Sequence, residues 1–252
     1  DKKFHDNKVD YFFAYNKEIG KKYFSLLGSK IYSVGSFLSN NVPLKKRKKI
    51  YDLVYISTFR RHKSNKTING NITAKDYVQT EKEFVKKIKK FAYTNNKKLH
   101  ILCTNKPAQQ KEEIKFFDTI FENKRWNMIK RRSNTFKSTY EILDKSNIVL
   151  GIDSTVLYES FARGKKTIFF DIRPTNQYLK KARHFAWPKK LNNTGPFWTN
   201  KSDYYSIEKL IKKVNNYDMK EWLKINKKFR NRLISFDEKN KTFCLIMKKL
   251  LN

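Results

Sequence analysis

Short apolar runs alternate with amphipathic stretches along most of the chain. The segments at residues 51–57 (YDLVYIS) and 99–104 (LHILCT) are typical of buried strands, and between them Phe84, Ile88 and Phe91 recur at helical spacing. The segment at 147–172 (NIVLGIDSTVLYESFARGKKTIFFDI) repeats this order, with an apolar run at each end and an amphipathic stretch between them. This alternation predicts an α/β fold, a Rossmann-like parallel sheet with helices on both faces.

A smaller β-α-β pattern precedes this domain. Residues 9–15 (VDYFFAY) and 30–34 (KIYSV) flank a helical stretch, and residues 42–49 (VPLKKRKK) follow as a basic segment of low apolar content that contains Pro43. We therefore predict that 1–41 end an N-terminal α/β domain, that 42–49 form a linker, and that 50–252 form the larger domain. From residue 206 onward only helical patterns occur.

The strong positive charge changes which partners come into question. The 252 residues carry a net charge of +34, and the halves 1–126 and 127–252 each contribute +17. An even distribution of charge has three explanations. The protein could bind nucleic acid in a groove, it could bind an anionic membrane surface or substrate, or its composition could be generally enriched in Lys. With 46 Lys against 11 Arg, the enrichment is the best single explanation, because Arg is the residue expected where bases or phosphates are read with fixed geometry. Composition therefore argues against a nucleic-acid partner.

Common sequence signatures exclude other classes of protein. The seven glycines are spaced so that neither a dinucleotide-binding nor a P-loop motif can be written, and the four His and two Cys show no metal-ligand spacing. The distant Cys103 and Cys244 suggest a reducing compartment. Neither a signal peptide nor an apolar run of membrane-spanning length is found. We expect a cytoplasmic or peripheral membrane protein without a metal or another cofactor.

The segment at 147–172 carries the best candidate chemistry. Its first strand ends at Gly151, Ser154 and Thr155 stand where the next helix begins, and Gly164 follows the helix. A helix N-terminus with two hydroxyls at the carboxyl end of a parallel strand favours a phosphate group. Glu159 lies one turn further on the face of Thr155, where it could accept hydrogen bonds from ribose hydroxyls. The simpler alternatives are a capped crossover helix and an exposed Glu159.

Further candidates follow the other strands at the same expected edge of the sheet. They could contact the phosphate, the base or the sugar of a donor, although a solvated basic loop, ordinary turns and aromatic packing are the competing explanations. These residues are Ser57, Thr58, Arg60, Asn105, Arg173, His184 and Trp198.

Three segments also carry a family resemblance. The run STVLYESFARGKKTIFF, with HFAWP at 184–188 and GPFWTN at 195–200, resembles bacterial surface-carbohydrate biosynthesis proteins. These are similar to two-domain GT-B glycosyltransferases, including the sialyl- and Kdo-transferase-like groups. The resemblance implies a nucleotide-sugar site with Ser154 and Thr155 at the phosphate and Glu159 at the ribose. It also implies a full N-terminal domain with the acceptor site and the catalytic base, so we expect this chain to be the C-terminal part of a longer protein.

The leading hypothesis is a metal-independent glycosyltransferase of surface polysaccharide or lipopolysaccharide synthesis. Its donor would be a nucleotide sugar, such as a CMP-linked ulosonic acid, and its acceptor a glycan or a lipid-linked glycan at an anionic inner-membrane surface. One alternative is a transferase of polyol phosphate from a donor such as CDP-glycerol. Another is a basic nucleic-acid-binding protein. The sequence does not indicate a catalytic base.

Overall fold

The computed structural model describes residues 9–45, 47–59, 67–69, 72–103, 107–122, 126–129, 136–152, 154–174 and 184–251. Ten strands are described: β1 (Tyr11–Ala14), β2 (Lys30–Ser33), β3 (Tyr51–Ile56), β4 (Thr67–Asn69), β5 (Ile72–Thr73), β6 (Leu99–Leu102), β7 (Asn127–Ile129), β8 (Ser146–Gly151), β9 (Thr167–Phe170) and β10 (Trp198–Thr199). The described helices are α1 (Lys17–Leu27), α2 (Phe37–Asn40), α3 (Ala74–Thr94), α4 (Pro107–Ile120), α5 (Phe136–Asp144), α6 (Thr155–Ala162), α7 (Tyr204–Asn216), α8 (Met219–Leu233) and α9 (Lys241–Leu251).

A six-stranded sheet forms the centre of the protein. Its order is β10-β9-β8-β3-β6-β7, and every neighbouring pair is parallel. In β3 the four consecutive residues 53–56 are all buried, as expected for a parallel strand that is covered on both sides. The predicted Rossmann-like parallel sheet is confirmed.

Helices cover both faces of this sheet. Phe169 and Phe170 are neighbours on β9, so their side chains point to opposite faces. The ring of Phe170 lies 4.6 Å from Phe84 of α3, whereas that of Phe169 lies 6.1 Å from Phe161 of α6. Helices α4 and α7 contact α3, and α8 contacts α6. The core therefore consists of two apolar layers, one on each side of the sheet.

The N-terminal unit, which comprises β1, α1, β2 and α2, is a separate small layer. Its two strands pair in parallel, and the methyl carbon Cγ2 of Ile31 lies so close to Gly20 of α1 that a side chain there would collide with it. The C-terminal helix α9 returns to this unit, since Phe243 packs edge-on against both Phe13 and Phe37 at 4.9 and 4.7 Å. The last helix therefore belongs structurally to the N-terminal unit.

The segment that leads to α9 is hydrogen-bonded to the N-terminal unit. The Asn16 amide donates to the carbonyl oxygen of Leu233 at 2.8 Å, and the backbone N–H of Ser235 donates to the carbonyl of Tyr15 at 2.8 Å. Gly35 forms an isolated antiparallel bridge with Phe236. These bonds fix the place at which the chain crosses from the large domain back to the N-terminal unit.

Arg163, directly after α6, joins the two parts a second time. Its guanidinium donates to the carbonyl oxygens of Ser39, Val42 and Pro43 at 3.1, 2.8 and 3.3 Å, and to a carboxylate oxygen of Asp144 at 2.9 Å. Both charged side chains are buried, at 0% and 2% exposure. The start of the segment predicted as a linker is therefore held against the large domain. The division into 1–41, 42–49 and 50–252 stays a prediction.

Two local predictions from the sequence need correction. The Asn, Ser and Gly content of residues 58 to about 73 predicts a loop, but this stretch contains the short antiparallel pair β4 and β5. The position of Trp198 after the last apolar run likewise predicts a long loop, but Trp198 begins strand β10, which pairs with β9. These three strands are only two or three residues long, and such short elements leave no periodic pattern in a sequence.

A buried carboxylate ties α3 to the end of β3. Glu81 is 3% exposed, and its Oε1 accepts hydrogen bonds from the Tyr55 hydroxyl at 2.7 Å and from the backbone N–H of Thr58 at 2.8 Å. Burial raises the pKa of Glu81 to about 7, against the hydrogen bonds from Thr58 and Tyr55, which lower it. This side chain fixes the direction in which the chain leaves the strand.

The contact of Gly35 with the crossing segment gives a first prediction. Gly35 has a φ of +75°, and a Cβ placed there would lie 2.0 Å from the carbonyl oxygen of Ser235. Gly28 has a similar φ of +62° but open space around it. We expect Gly28→Ala to lower the free energy of unfolding by about 1 kcal/mol. Gly35→Ala adds a collision with backbone and costs at least about 2 kcal/mol more. Urea denaturation measures both, and equal losses would contradict the close approach.

The buried Glu81 predicts a dependence of stability on pH. Its pKa rises from 4.5 to about 7 on folding, so its contribution to stability is complete below pH 4.5 and is lost as the pH rises through 7. Glu81→Gln keeps the size and the acceptor oxygen but removes this titration. We expect the variant to gain a few kcal/mol relative to the wild type between pH 4.5 and 8, at about 1.4 kcal/mol per pKa unit. Denaturation curves across this range measure the difference.

The matched control is Glu83→Gln, an exposed position on the same helix. Its curve should run parallel to that of the wild type. Parallel curves for Glu81→Gln and the wild type would contradict the raised pKa.

Candidate functional site

The order of the strands defines one special position on the sheet edge. After β3 the chain adds β6 and β7 on one side, and then β8, β9 and β10 on the other side. The direction of winding therefore reverses between β3 and β8. In parallel α/β sheets, a crevice opens at the carboxyl ends of the two strands that flank such a reversal, and ligands bind there. Ile56 and Gly151 are the last residues of these two strands.

A cavity of about 280 Å³ lies at this position. Its walls come from the large domain and from the N-terminal unit, and most of the lining side chains are apolar or aromatic. The lining residues are Tyr15, Leu38, Ile56, Leu102, Cys103, Thr139, Tyr140, Thr155, Val156 and Glu159. Since Tyr15 and Leu38 belong to the N-terminal unit, the cavity is a cleft between the two parts of the molecule.

Helix α6 begins at the wall of this cleft. Ser154 is its N-cap, with extended backbone and a side-chain oxygen that accepts a hydrogen bond from the backbone N–H of Val156 at 3.2 Å. A Cβ at Gly151 would lie 2.8 Å from Leu157, so the glycine allows the helix to start close to the strand. Thr155 is exposed and lines the cleft. The positive end of the helix dipole is therefore directed to this region, as an anion site requires.

Glu159 lies one turn deeper in the same wall. It is 5% exposed and accepts hydrogen bonds from the Ser36 hydroxyl at 2.5 Å and from the Tyr140 hydroxyl at 3.0 Å. Burial raises its pKa, against the lowering effects of these two hydrogen bonds and of the Arg163 charge. The alternative of an exposed helix charge is therefore wrong. Glu159 shares the cleft with Thr155, but its role at a ribose stays a prediction.

Two tyrosine hydroxyls surround this carboxylate. Burial, and after it the charge of Glu159, raises the pKa of both Tyr15 and Tyr140, so both are neutral at physiological pH. A neutral phenol can donate a hydrogen bond as well as accept one. The cleft therefore combines apolar walls with one carboxylate and two neutral hydroxyls.

The other predicted residues that the structure describes are not among the lining residues of the cleft. Ser57 is buried at the end of β3, and its Oγ accepts a hydrogen bond from the backbone N–H of Phe59 at 3.1 Å. The next residue, Thr58, is held through its backbone by Glu81. Arg173 follows β9, and His184 Nδ1 lies 2.9 Å from the carbonyl oxygen of Phe185.

Arg60 and Asn105 fall outside the described residues. For the described residues of this group, a role in donor binding stays a prediction.

Trp198 has a different environment from the one expected for a cleft residue. Its side chain is 5% exposed, its indole N–H donates to the carbonyl of Asn192 at 2.8 Å, and its ring packs edge-on against Phe197 and Phe229. These contacts favour the aromatic-packing alternative. Trp198 is one of the side chains that close the core around α8.

Sequence reasoning missed several side chains of the site. Two of them donate hydrogen bonds to Glu159. Ser36, the N-cap of α2, lies 123 positions away from Glu159 in the sequence, and Tyr140 of α5 lies 19 positions away. A serine before a short apolar segment is a common N-cap signal, but it does not reveal a long-range partner. Tyr15 lies at the end of a run that looked like an ordinary strand. Only the fold brings these residues to one place.

Two features are absent from the described part of the chain. Within it, no group of three or more His, Cys, Asp or Glu side chains is arranged to hold a metal ion. Within it as well, no helix combines the length and the apolar character that a membrane span needs.

Comparison with solved structures identifies the fold. The structure superimposes on UDP-GlcNAc 2-epimerase of Methanocaldococcus jannaschii, solved with UDP-GlcNAc and UDP, with a TM-score of 0.55 and 14% identity over 96% of this chain and 61% of that one. For the pneumococcal O-GlcNAc transferase GtfA, solved with UDP and GlcNAc, the TM-score is 0.50 and the identity 14%. This superposition covers 100% of this chain and 47% of GtfA. For the wall teichoic acid polymerase TagF the TM-score is 0.51 and the identity 12%, and the superposition covers 100% of this chain and 61% of TagF. These likenesses confirm a GT-B-type fold.

The chain thus spans 61% or less of the length of each of these three proteins. A search of curated protein sequences gives no significant match. The model of the family described as "putative O-antigen biosynthesis protein" matches residues 1–251. Because this match extends over almost the whole chain, the protein belongs to that O-antigen biosynthesis family.

Proposed function

We propose that this chain binds a nucleotide sugar in its cleft and transfers the sugar during the synthesis of a bacterial surface polysaccharide. The observation that carries the proposal is the pairing of Thr155 and Glu159 on one wall of the cleft, at the reversal of strand order. Membership of an O-antigen biosynthesis family supports the biological context. The structural neighbours include one epimerase and one transferase that were solved with UDP, which supports a nucleotide ligand.

In the proposed complex, the phosphate of the donor lies at the N-terminus of α6. The hydroxyls of Ser154 and Thr155 would donate hydrogen bonds to it, at the positive end of the helix dipole. When the glycosidic bond to the nucleotide breaks, negative charge develops on the leaving phosphate, and donors that are already oriented stabilise that charge most effectively. This role requires neither a metal ion nor another cofactor.

Glu159 would then accept hydrogen bonds from the ribose. Its carboxylate has room for about four hydrogen bonds and uses two for Ser36 and Tyr140. The distance of one helical turn from Thr155 corresponds to the distance between a nucleotide's phosphate and its ribose hydroxyls. Tyr15 and Leu38 would contact the ligand from the N-terminal unit. The base and sugar of the donor, with a CMP-linked ulosonic acid as one candidate, are left to experiment.

A polyol-phosphate transferase is the second candidate, because the chain has the fold of the teichoic acid polymerase TagF over its full length. Both enzymes would place a phosphate at the same helix terminus. Product analysis after incubation with CDP-glycerol and with a panel of sugar nucleotides distinguishes them.

The phosphate site predicts the behaviour of one double variant. Ser154→Ala with Thr155→Val removes both hydroxyls, and we expect it to weaken the binding of UDP or CMP by at least about 30-fold, or 2 kcal/mol, since each hydrogen bond to a charged group contributes about 1.5–3 kcal/mol. Isothermal titration calorimetry measures the affinity.

Loss of the cap also lowers the stability of α6, by about 1 kcal/mol. Asp203→Ala is the matched control, because Asp203 caps α7 through the N–H of Ser206 and is remote in sequence from the cleft residues. It should lose similar stability and bind nucleotide normally. Unchanged affinity in the double variant would contradict the assignment of Ser154 and Thr155 to the donor phosphate.

The ribose assignment predicts a change in selectivity rather than in affinity alone. The wild type should bind a ribonucleotide roughly tenfold more tightly than its 2′,3′-dideoxy analogue, because Glu159 loses its hydroxyl partners in the analogue. Glu159→Gln keeps the shape but weakens these bonds, so the ratio should fall to about threefold or less. Calorimetry with the two nucleotides gives the ratio.

Ser36→Ala is the control here. It removes the hydrogen bond to Glu159 from the N-terminal unit but leaves the carboxylate in place, so selectivity for ribose should persist. If Glu159→Gln and the wild type show the same ratio, Glu159 does not bind the ribose.

A further inference from the structure

We propose that the N-terminal unit and α9 together bind the surface of an anionic lipid bilayer. The surface concerned, called here the basic apolar patch, consists of Val9, Phe24, Leu26, Leu245, Leu250 and Leu251 with the lysines around them. It lies outside the cleft, and the proposal does not depend on the proposed sugar transfer.

The patch includes an open groove of about 850 Å³. The start of β1, the end of α1 and Leu250 of α9 form its walls, and Val9, Phe24 and Leu26 are among the residues that line it. Phe24 is 57% exposed although it is a large aromatic residue. The lining also includes Asp10, Ser25 and Lys30, so large apolar side chains and polar groups alternate around one groove. Exposed apolar side chains that gather in this way, with a polar rim, favour a binding site.

Helix α9 contributes the second part of the patch. One side of the helix is attached, because Phe243 packs against the N-terminal unit. The helix has no fully buried residue, and Leu245, Leu250 and Leu251 are 61%, 41% and 78% exposed. Lys241, Lys248 and Lys249 are exposed beside them. An amphipathic helix with exposed leucines and flanking lysines is the usual form of an interfacial membrane helix.

The charge around the patch identifies the partner. Residues 9–33 and 241–251 together contain seven lysines, all exposed, and two acidic residues, Asp10 and Glu18. No acidic residue lies on α9. Lysine is depleted in protein–protein interfaces but is the residue that attracts segments to anionic lipid headgroups. Apolar side chains between lysines therefore fit a bilayer better than they fit a second protein.

The patch is also placed where membrane binding would affect the cleft. Phe37 contacts α9 through Phe243, and the next residue, Leu38, lines the cleft. A bilayer bound at α9 would thus lie against the same unit that forms one wall of the cleft. An acceptor anchored in that bilayer would approach the cleft from the N-terminal side.

Flotation with lipid vesicles tests the proposal. The full chain is mixed with vesicles of phosphatidylcholine alone or of phosphatidylcholine with phosphatidylglycerol, and each mixture is centrifuged through a density gradient. We expect the protein to float with the anionic vesicles and to stay behind with the neutral ones. The variant Phe24→Ser with Leu251→Ser should reduce the floating fraction at least tenfold, while circular dichroism shows that it is folded.

The matched control replaces two equally exposed aromatic residues elsewhere. Tyr93 and Tyr205, 90% and 69% exposed, lie on α3 and α7 beside Lys90 and Lys209, and their double change to Ser should leave flotation unaltered. Equal flotation of the patch variant and the wild type would mean that the overall charge of +34 binds lipid without a defined surface. That result, or the absence of flotation by the wild type, overturns the proposal. So does a patch variant that changes the oligomeric state, because the patch would then join two copies of the chain.

Discussion

The buried guanidinium of Arg163 is the constraint on which the arrangement of the cleft depends. A guanidinium removed from water must find acceptors for its five N–H donors, because each unpaired donor costs free energy. Arg163 makes four such bonds from its two terminal nitrogens, to Asp144 and to the carbonyl oxygens of residues 39, 42 and 43, and leaves its buried Nε–H without a partner among the described residues. Lys165 adds a second positive charge at 3.0 Å from Asp144. The N-terminal unit can therefore move away from the sheet only if this charge loses its partners.

One helix organises all of these contacts through a spacing of four residues. Thr155, Glu159 and Arg163 follow one another at successive turns of α6 and its end, so they form a single stripe. Thr155 lines the cleft, Glu159 bonds to Ser36, and Arg163 bonds to the carbonyl of Ser39. The stripe thus runs from the lining of the cleft to the contacts with the N-terminal unit. Glu159 takes part in both, since it is proposed to bind the ribose and also bonds to Ser36 across the cleft.

The sequence predicted the parts of the fold that rest on local periodicity. The parallel sheet, the crossover helices and the N-terminal β-α-β unit follow from the alternation of apolar runs, and the start of α6 follows from Gly151 and Ser154. The same reasoning places the candidate site at the edge of the sheet, and this location stays a prediction. Strand β10 could not be predicted, because two residues cannot show a period. For Trp198 the sequence therefore leaves aromatic packing of a loop and lining of the cleft as alternatives.

The environment of Glu159 could not be predicted, because its partners come from segments without any local relation to it. Its spacing from Thr155 indicated a shared face but not whether that face was buried. Glu159 is buried because the segment of α2 packs against α6, where the contacts of Arg163 hold it. Such a long-range contact leaves no periodic pattern in the sequence.

The interior of the protein also explains part of its extreme surface charge. In the described part of the chain four acidic residues, Glu81, Glu113, Asp144 and Glu159, are buried. The hydrogen bonds described above tie three of them to strand ends, α6 or the N-terminal unit. Buried carboxylates screen surface lysines less effectively than surface carboxylates would. The surface is therefore more uniformly basic than the composition suggests, and this raises the attraction to any anionic surface. Uniform charge gives no orientation, however. The proposed role of the basic apolar patch rests on this difference, because apolar side chains between lysines would make one face of the molecule preferred.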